Sequence, residues 1–251
     1  MQMLDYLKAL SWQKALPLFL AENLLMLLLA VGLGYLLQAE FGAKRALGPV
    51  QLRVSRQELG LAAVTLLLNT AVTSAGWLLW QRGFITIRTE VSYRVLLDFA
   101  VLFLSMDLLM YVFHFVIHHT PLYRWVHALH HNYTEPQPID LFVLHPIEPL
   151  GFGTLWLLLI AVYPASLTAI IAYLVANVVF GVLGHSGVEP FPSAWERHPL
   201  LRYLGSSGFH FQHHQEGNHN FGFYTSVWDR LFGTFAPSPA PIGAVGGGKS
   251  S

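Results

Sequence analysis

All 13 histidines of this chain lie between residues 114 and 219, in a polypeptide that is 54% hydrophobic and only 11% charged. Most fall into three groups: His114-x3-His118-His119, His127-x2-His130-His131 and His210-x2-His213-His214. On a helix, residues three or four apart share a face, with Cβ atoms about 5–6 Å apart. Each group can therefore bring two imidazoles from successive turns to one metal, with a neighbour turned elsewhere. Imidazole suits zinc, copper, iron and nickel. Three groups supply more nitrogens than one metal accepts, since a structural zinc takes about four ligands. The spacing favours two metals in one site.

Soluble domains average about 25% charged residues; 11% charged and a mean hydropathy of +0.48 describe a membrane protein. Formal net charge is zero, with no basic tract to suggest nucleic acid. Cysteine is absent, which excludes disulfides, thiolate ligands and an iron–sulfur cluster within the chain. Electrons for any redox chemistry must come from outside it.

Residues 1–15 read as a short amphipathic lead-in. They are no signal peptide, because the apolar run that follows is too long and lacks a small-residue cleavage site. That run, Leu16 to Leu37, is long enough to cross a ~30 Å hydrocarbon core. Ser55 and Glu58 form a capping-box pattern ahead of a second span, Leu59 to Trp80. Residues 81–94 read as a polar connection, and a third span from Val95 runs into the first histidine group.

On that span Asp107, Tyr111, His114 and His118 fall on one helical stripe. An acid in a membrane helix is costly and usually faces a partner, so Asp107 is expected to hydrogen-bond a ligand histidine. Thr120-Pro121 ends the helix, and Leu122 to Asn132 carries the second group on a helix lying along the membrane surface. A long apolar stretch, Leu150 to Leu183, is split by Tyr163-Pro164 into a helical hairpin. The expected fold is an all-α membrane protein with about four transmembrane elements: two N-terminal spans, a long third span and the Pro-split hairpin. A cytoplasmic helical cap carries the histidines.

If the hairpin returns to its own side, the histidine face holds nine of the 14 Lys and Arg. The positive-inside bias then places the histidines in the cytoplasm.

With these motifs in hand, the chain resembles the fatty acid hydroxylase/sterol desaturase superfamily of membrane oxygenases. The resemblance rests on the Asp107-to-His118 run, the other two histidine groups, Asn220-Phe221-Gly222 and Trp228-Asp229-Arg230-Leu231-Phe232-Gly233-Thr234. Composition gives a membrane region 1–94 and a low-complexity, disordered tail 236–251; the resemblance implies a catalytic domain over residues 95–235 between them. It further implies two Fe ions, O2 as co-substrate, and hydroxylation or desaturation of a long apolar lipid such as a sterol or fatty acyl chain. Carried over by position, the ligands are His114, His118, His127, His130, His131, His185, His210, His213 and His214. Residues nearby with a supporting or unassigned role are Asp107, His119, His145, His198, His219, Asn220 and Asp229. No cytochrome b5-like module is visible, so an electron donor of cytochrome b5, ferredoxin or reductase type is expected in trans. The compact, cysteine-free chain favours a bacterial inner membrane, or endoplasmic reticulum in a eukaryote.

Two other readings compete. A metal transporter would place ligands near the bilayer midplane on broken helices. A membrane zinc hydrolase would need an open coordination position and a general base. Glu216-x2-His219 matches half of a carboxylate-bridged di-iron motif, but that site needs a second copy and further glutamates. Gly243-x4-Gly248-Lys249-Ser250 has P-loop spacing but no helix can follow it before Ser251.

Overall fold

The computed structural model describes residues 2–49, 53–90 and 92–242. The P-loop-like spacing and the last part of the expected tail lie outside the described residues. A short helix α1 (Gln2–Lys8) leads into α2 (Trp12–Arg45), α3 (Arg56–Gln81) and α4 (Arg94–His118). At ~1.5 Å per residue, the 34 residues of α2 outreach a bilayer core, and the helix extends beyond the expected Leu16–Leu37 at both ends. Its buried positions Ala30, Gly34 and Gln38 recur every four residues. Leu24, Leu25, Leu28, Leu29, Leu33 and Leu36 are exposed, as on a helix bathed in lipid.

After α4 a π-helical turn (Tyr123–His127) runs into α5 (Ala128–His131), followed by a 3-10 turn (Pro138–Phe142). The expected hairpin is α6 (Ile147–Val162) and α7 (Leu167–His185), separated by a break at Tyr163 to Ser166. Helices α2, α3, α4 and α7 are each long and apolar enough to cross a membrane, while α6 is a shorter 16-residue partner. Among the described residues that follow are three short α-helices, α8 (Ala194–Arg197), α9 (Ser207–Glu216) and α10 (Val227–Phe232), and a 3-10 turn (Leu201–Tyr203).

Small residues let these helices approach. A Cβ at Gly76 of α3 would come within 2.8 Å of Leu157, and one at Gly153 of α6 within 2.6 Å of Val72. Such reciprocal small positions are the usual way membrane helices pack, because lipid tails remove the hydrophobic drive between them.

The helix order gathers five helix ends at one pole: the C-termini of α2, α4 and α7 and the N-termini of α3 and α6. The segment after α7 folds over that pole, with Leu47 N–H donating to the Gly187 carbonyl (3.0 Å) and Ala46 bridging to Val188. Ser55 and Glu58 make the expected capping box. Glu58 also reaches outward and accepts from Gln137 Nε2 at 2.6 Å, tying α3 to the 3-10 turn. Residues 236–242 carry no long helix, yet the Ala236 N–H donates to Asn220 (2.8 Å) and that of Ile242 to the Ala46 carbonyl (2.8 Å).

The opposite pole is sewn together by polar groups. Within the stretch read as a bare connection, β1 (Ile87–Arg88) pairs in parallel with β2 (Ala165–Ser166). Asp98 lies there, 1% exposed. It accepts from Arg88 through both oxygens at 2.6 Å, from Tyr163 Oη at 3.0 Å and from Ser166 N–H at 2.9 Å. Removing one partner of a buried ion pair leaves an uncompensated charge. Arg88→Met should lower unfolding stability in detergent by about 2–3 kcal/mol. Adding Asp98→Asn should restore part of it, and a double variant no better than the single would show that the pair is not coupled.

Candidate metal centre

The gathered pole carries the histidines. The end of α4 supplies His114 and His118, the π-helical turn His127, α5 His130 and His131, the last residue of α7 His185, and α9 His210, His213 and His214. These nine side chains sort into two clusters. His114, His118, His127, His131 and His213 form one, and His130, His185, His210 and His214 the other. Within each cluster the potential ligand atoms all lie within 4.8 Å of one another. The clusters abut: the rings of His127 and His130 are 5.3 Å apart, and those of His131 and His214 are 5.0 Å apart.

The sorting follows helical geometry. Pairs four apart (114 and 118, 127 and 131, 210 and 214) stay in one cluster, and in the second and third groups the residue three along from the first, His130 and His213, goes to the other. A turn of helix thus serves both clusters from one short segment.

The hydrogen bonds behind the rings test whether a cation fits. His114 Nδ1 donates to the Phe221 carbonyl (3.0 Å), and His127 Nδ1 to the Glu148 carboxylate (2.6 Å). Both Nε2 atoms then carry lone pairs, and they face each other at 2.9 Å. The same holds in the second cluster. His130 and His185 bond the Val143 and Gly181 carbonyls through Nδ1 (3.3 and 3.0 Å), leaving their Nε2 atoms 3.4 Å apart. His213 Nδ1 bonds the His219 carbonyl at 2.6 Å, so its Nε2 faces His131 Nε2 at 3.0 Å as an acceptor.

Protonation cannot relieve this crowding near neutral pH. Burial, before any neighbour, holds His130 down to about 4 and His131 to about 2. Burial first, then adjacent histidines, also lowers His127, His210, His213 and His214. His118 Nε2, His210 Nδ1 and His214 Nδ1 are buried without a hydrogen-bond partner. Neutral imidazoles with converging lone pairs and orphaned nitrogens are what two adjacent metal ions require. The residues fit a two-metal centre.

Of the residues expected to support the site, several stand elsewhere. Asp107 touches no histidine. Its carboxylate accepts from the backbone N–H of Tyr224 (2.8 Å) and Thr225 (3.3 Å) and from Thr225 Oγ1 (2.5 Å), bracing the loop after α9 against α4. The helical stripe placed it correctly below His114, but the facing segment presents backbone amides there. His119 is exposed, stacking on Phe115 and bonding its carbonyl. His145 and His198 accept nearby backbone N–H groups and join neither cluster. The His219 side chain lies 3.3 Å from Glu216, and only its carbonyl serves the site.

Asn220 and Asp229 act at one remove. Asn220 has a positive φ of 60° and is pinned to Phe209 and Ala236. Asp229 accepts from the N–H groups of Phe221 and Gly222, both 2.8 Å, and so aims the Phe221 carbonyl at His114. Burial pushes the Asp229 carboxyl up, against the hydrogen bonds from Thr234, Gly222 and Phe221. A Cβ on Gly222 would collide with the Thr225 carbonyl, so glycine is required beside that carboxylate.

Glu148 was not singled out from the sequence. It is 1% exposed and sits at the head of α6, between His127 and the His145 N–H. The signal was present: an acid at the start of an apolar helix, flanked by proline, carries the same cost argument as Asp107.

Below the clusters lies a cavity of about 480 Å³. His114, His127, His130, His185 and His210 line one end, and Met106, Met110, Phe152, Trp156 and Ile160 are among its apolar walls.

Glu148→Gln removes the carboxylate behind His127. Metal affinity should fall about 10–100-fold, the usual effect of losing such a partner, read by competition with a chelator. Asp107→Asn should instead lower thermal stability by about 1–3 kcal/mol with metal affinity unchanged. The reverse pattern for the two variants would overturn both assignments.

The fatty acid hydroxylase family model matches residues 99–234, more than half of the chain. Among curated proteins, the chain is 30% identical to Delta(7)-sterol 5(6)-desaturase of Leptosphaeria maculans, over 51% of this chain and 34% of that protein. It is 26% identical to methylsterol monooxygenase 1 of Gallus gallus (49% and 41% covered) and 26% identical to lathosterol oxidase of Rattus norvegicus (51% and 42%). The chain thus spans less than half the length of each of these relatives. No solved structure matches it. The matched segment begins within α4 and runs through all three histidine groups to Thr234: the chain belongs to the fatty acid hydroxylase family.

Proposed function

We propose that this protein is a membrane oxidoreductase that uses O2 to hydroxylate or desaturate a long apolar lipid, with two irons held by the nine clustered histidines. The observation that carries this reading is the placement of both clusters at the head of an apolar cavity enclosed by membrane helices. A transporter has no comparable need to bring a lipid chain against a two-metal site, and the match to the fatty acid hydroxylase family supports an oxygenase over a hydrolase. Iron bound there would supply the activation of O2 toward an unreactive C–H bond.

The protein's own part is positioning and exclusion. Each Nδ1 that donates to a carbonyl or to Glu148 fixes a ring's tautomer and angle, so Nε2 stays a ligand. Met106, Met110 and Phe152 keep water from the space below His114. Residues 95–235 form the catalytic unit in this reading. The two electrons come from an external donor, since the chain has no cysteine for a cluster of its own.

The named relatives act on sterols, which supports a sterol or similarly extended lipid here. Eight of the 13 described Lys and Arg lie on the histidine side, which supports a cytoplasmic centre.

The test is purified protein in lipid nanodiscs, loaded with iron and given a chemical reductant, candidate lipids and 18O2. Two irons per chain and an O2-dependent product are expected, either carrying 18O or short of two hydrogens. Conversion that persists without O2, or with zinc in place of iron, would overturn the reading.

A further inference from the structure

The cavity is apolar over most of its length but not at its far end. There α2 and α3 contribute Glu22, Asn23, Asn69 and Thr73 to the lining. Asn23 Nδ2 donates to Glu22 Oε2 (3.0 Å), to Thr73 Oγ1 (3.2 Å) and to the Phe19 carbonyl (2.9 Å). None of these groups takes part in the metal centre, the cap or the Asp98 junction. All lie in helices apolar enough to span a membrane, where a polar side chain is costly and marks a functional site by default.

Their depth follows from helix geometry. α3 begins beside the histidines, where Glu58 bonds Gln137, and Thr73 is 15 residues further along, roughly 22 Å at ~1.5 Å per residue. On α7, which ends at His185, the lining residue Leu174 stands 11 residues back, roughly 16 Å from the cluster. Glu22 and Leu174 line the cavity and are also exposed on the outer surface. The cavity therefore opens sideways there, between α2 and α7, at a level where lipid chains surround the bundle.

Resting on the lipid-oxidation reading above, we propose that this opening is where substrate enters from the bilayer, and that Glu22 and Asn23 hold its polar group. With Asn23 Nδ2 already committed, the groups left free there are the Glu22 carboxylate and the Asn23 amide oxygen, which accept, and the Thr73 hydroxyl and Asn69 amide, which can donate. They suit a group that both donates and accepts. The substrate is a lipid bearing a hydroxyl or amine roughly 16–22 Å from the carbon attacked, the range that the two helices give. Its apolar body fills the cavity toward the histidines. This recognition lies outside the matched residues 99–234, so it belongs to this chain's own N-terminal helices.

Native mass spectrometry of the metal-loaded protein, released from detergent with 1-hexadecanol, hexadecylamine or hexadecane, tests the proposal without turnover. The alcohol and the amine should bind about tenfold more tightly than the alkane, and the tighter of the two names the headgroup. Glu22→Leu should erase that preference while metal content and α-helical circular dichroism stay the same, and Glu22→Gln should keep part of it. A Leu174→Trp variant should slow lipid uptake. Equal binding of alcohol and alkane, or a preference that survives Glu22→Leu, would overturn the polar anchor even if O2-dependent turnover is present. Loss of turnover with the preference intact would instead count against the oxidation reading alone.

Discussion

Everything at the histidine pole depends on one arrangement: imidazole nitrogens whose lone pairs point at one another. Such a cluster repels itself unless a cation sits within it, and five of its nine rings are fastened from behind. The fastenings are backbone carbonyls of Phe221, Val143, Gly181 and His219 and the carboxylate of Glu148. Because four of the five are main-chain groups, three of them in loops and Gly181 within α7, the clusters are as rigid as the backbone that supplies them. The cap is therefore part of the centre.

Those loops are held by buried acids. Asp229 grips the Phe221–Gly222 turn and Asp107 grips Tyr224 and Thr225. Tyr224, fully buried, stacks on Phe103 and bonds Asn177 and Tyr173, so the loop is plugged into the groove between α4 and α7. At the other pole Asp98 does the same for β1, β2 and the hairpin break. A carboxylate accepting several backbone or guanidinium donors keeps its charge solvated by protein alone. These acids position backbone that has no regular secondary structure to hold it.

The cavity gives the first two long helices a role beyond anchoring. They close the side of the lipid space that the matched segment leaves open, and they bring polar side chains to its far end. In the proposed reading labour divides: the segment from α4 onward would hold the metals, and α2 and α3 would shape what reaches them.

Much of this was legible in the sequence. Histidine spacing pointed to eight of the nine residues that cluster, because a helix brings positions three or four apart together whatever surrounds it; His185, which stands alone, came only from the resemblance, and His119 of the first group turns outward. Apolar run lengths located the spans, and Ser55 with Glu58 marked the start of α3. The partner of Asp107 was misread, and Glu148 was passed over, for one reason: both contacts cross between segments far apart in the chain, Asp107 to Thr225 and Glu148 to His127. Which histidine joins which cluster, and which lining residues of α2 and α3 face the same cavity, likewise depend on how helices rotate and stack. The sequence by itself determined the local periodicities, since those follow from backbone geometry alone. Only the tertiary structure decided the pairings, because packing at Gly76, Gly153 and the cap sets the angle at which each helix presents its face.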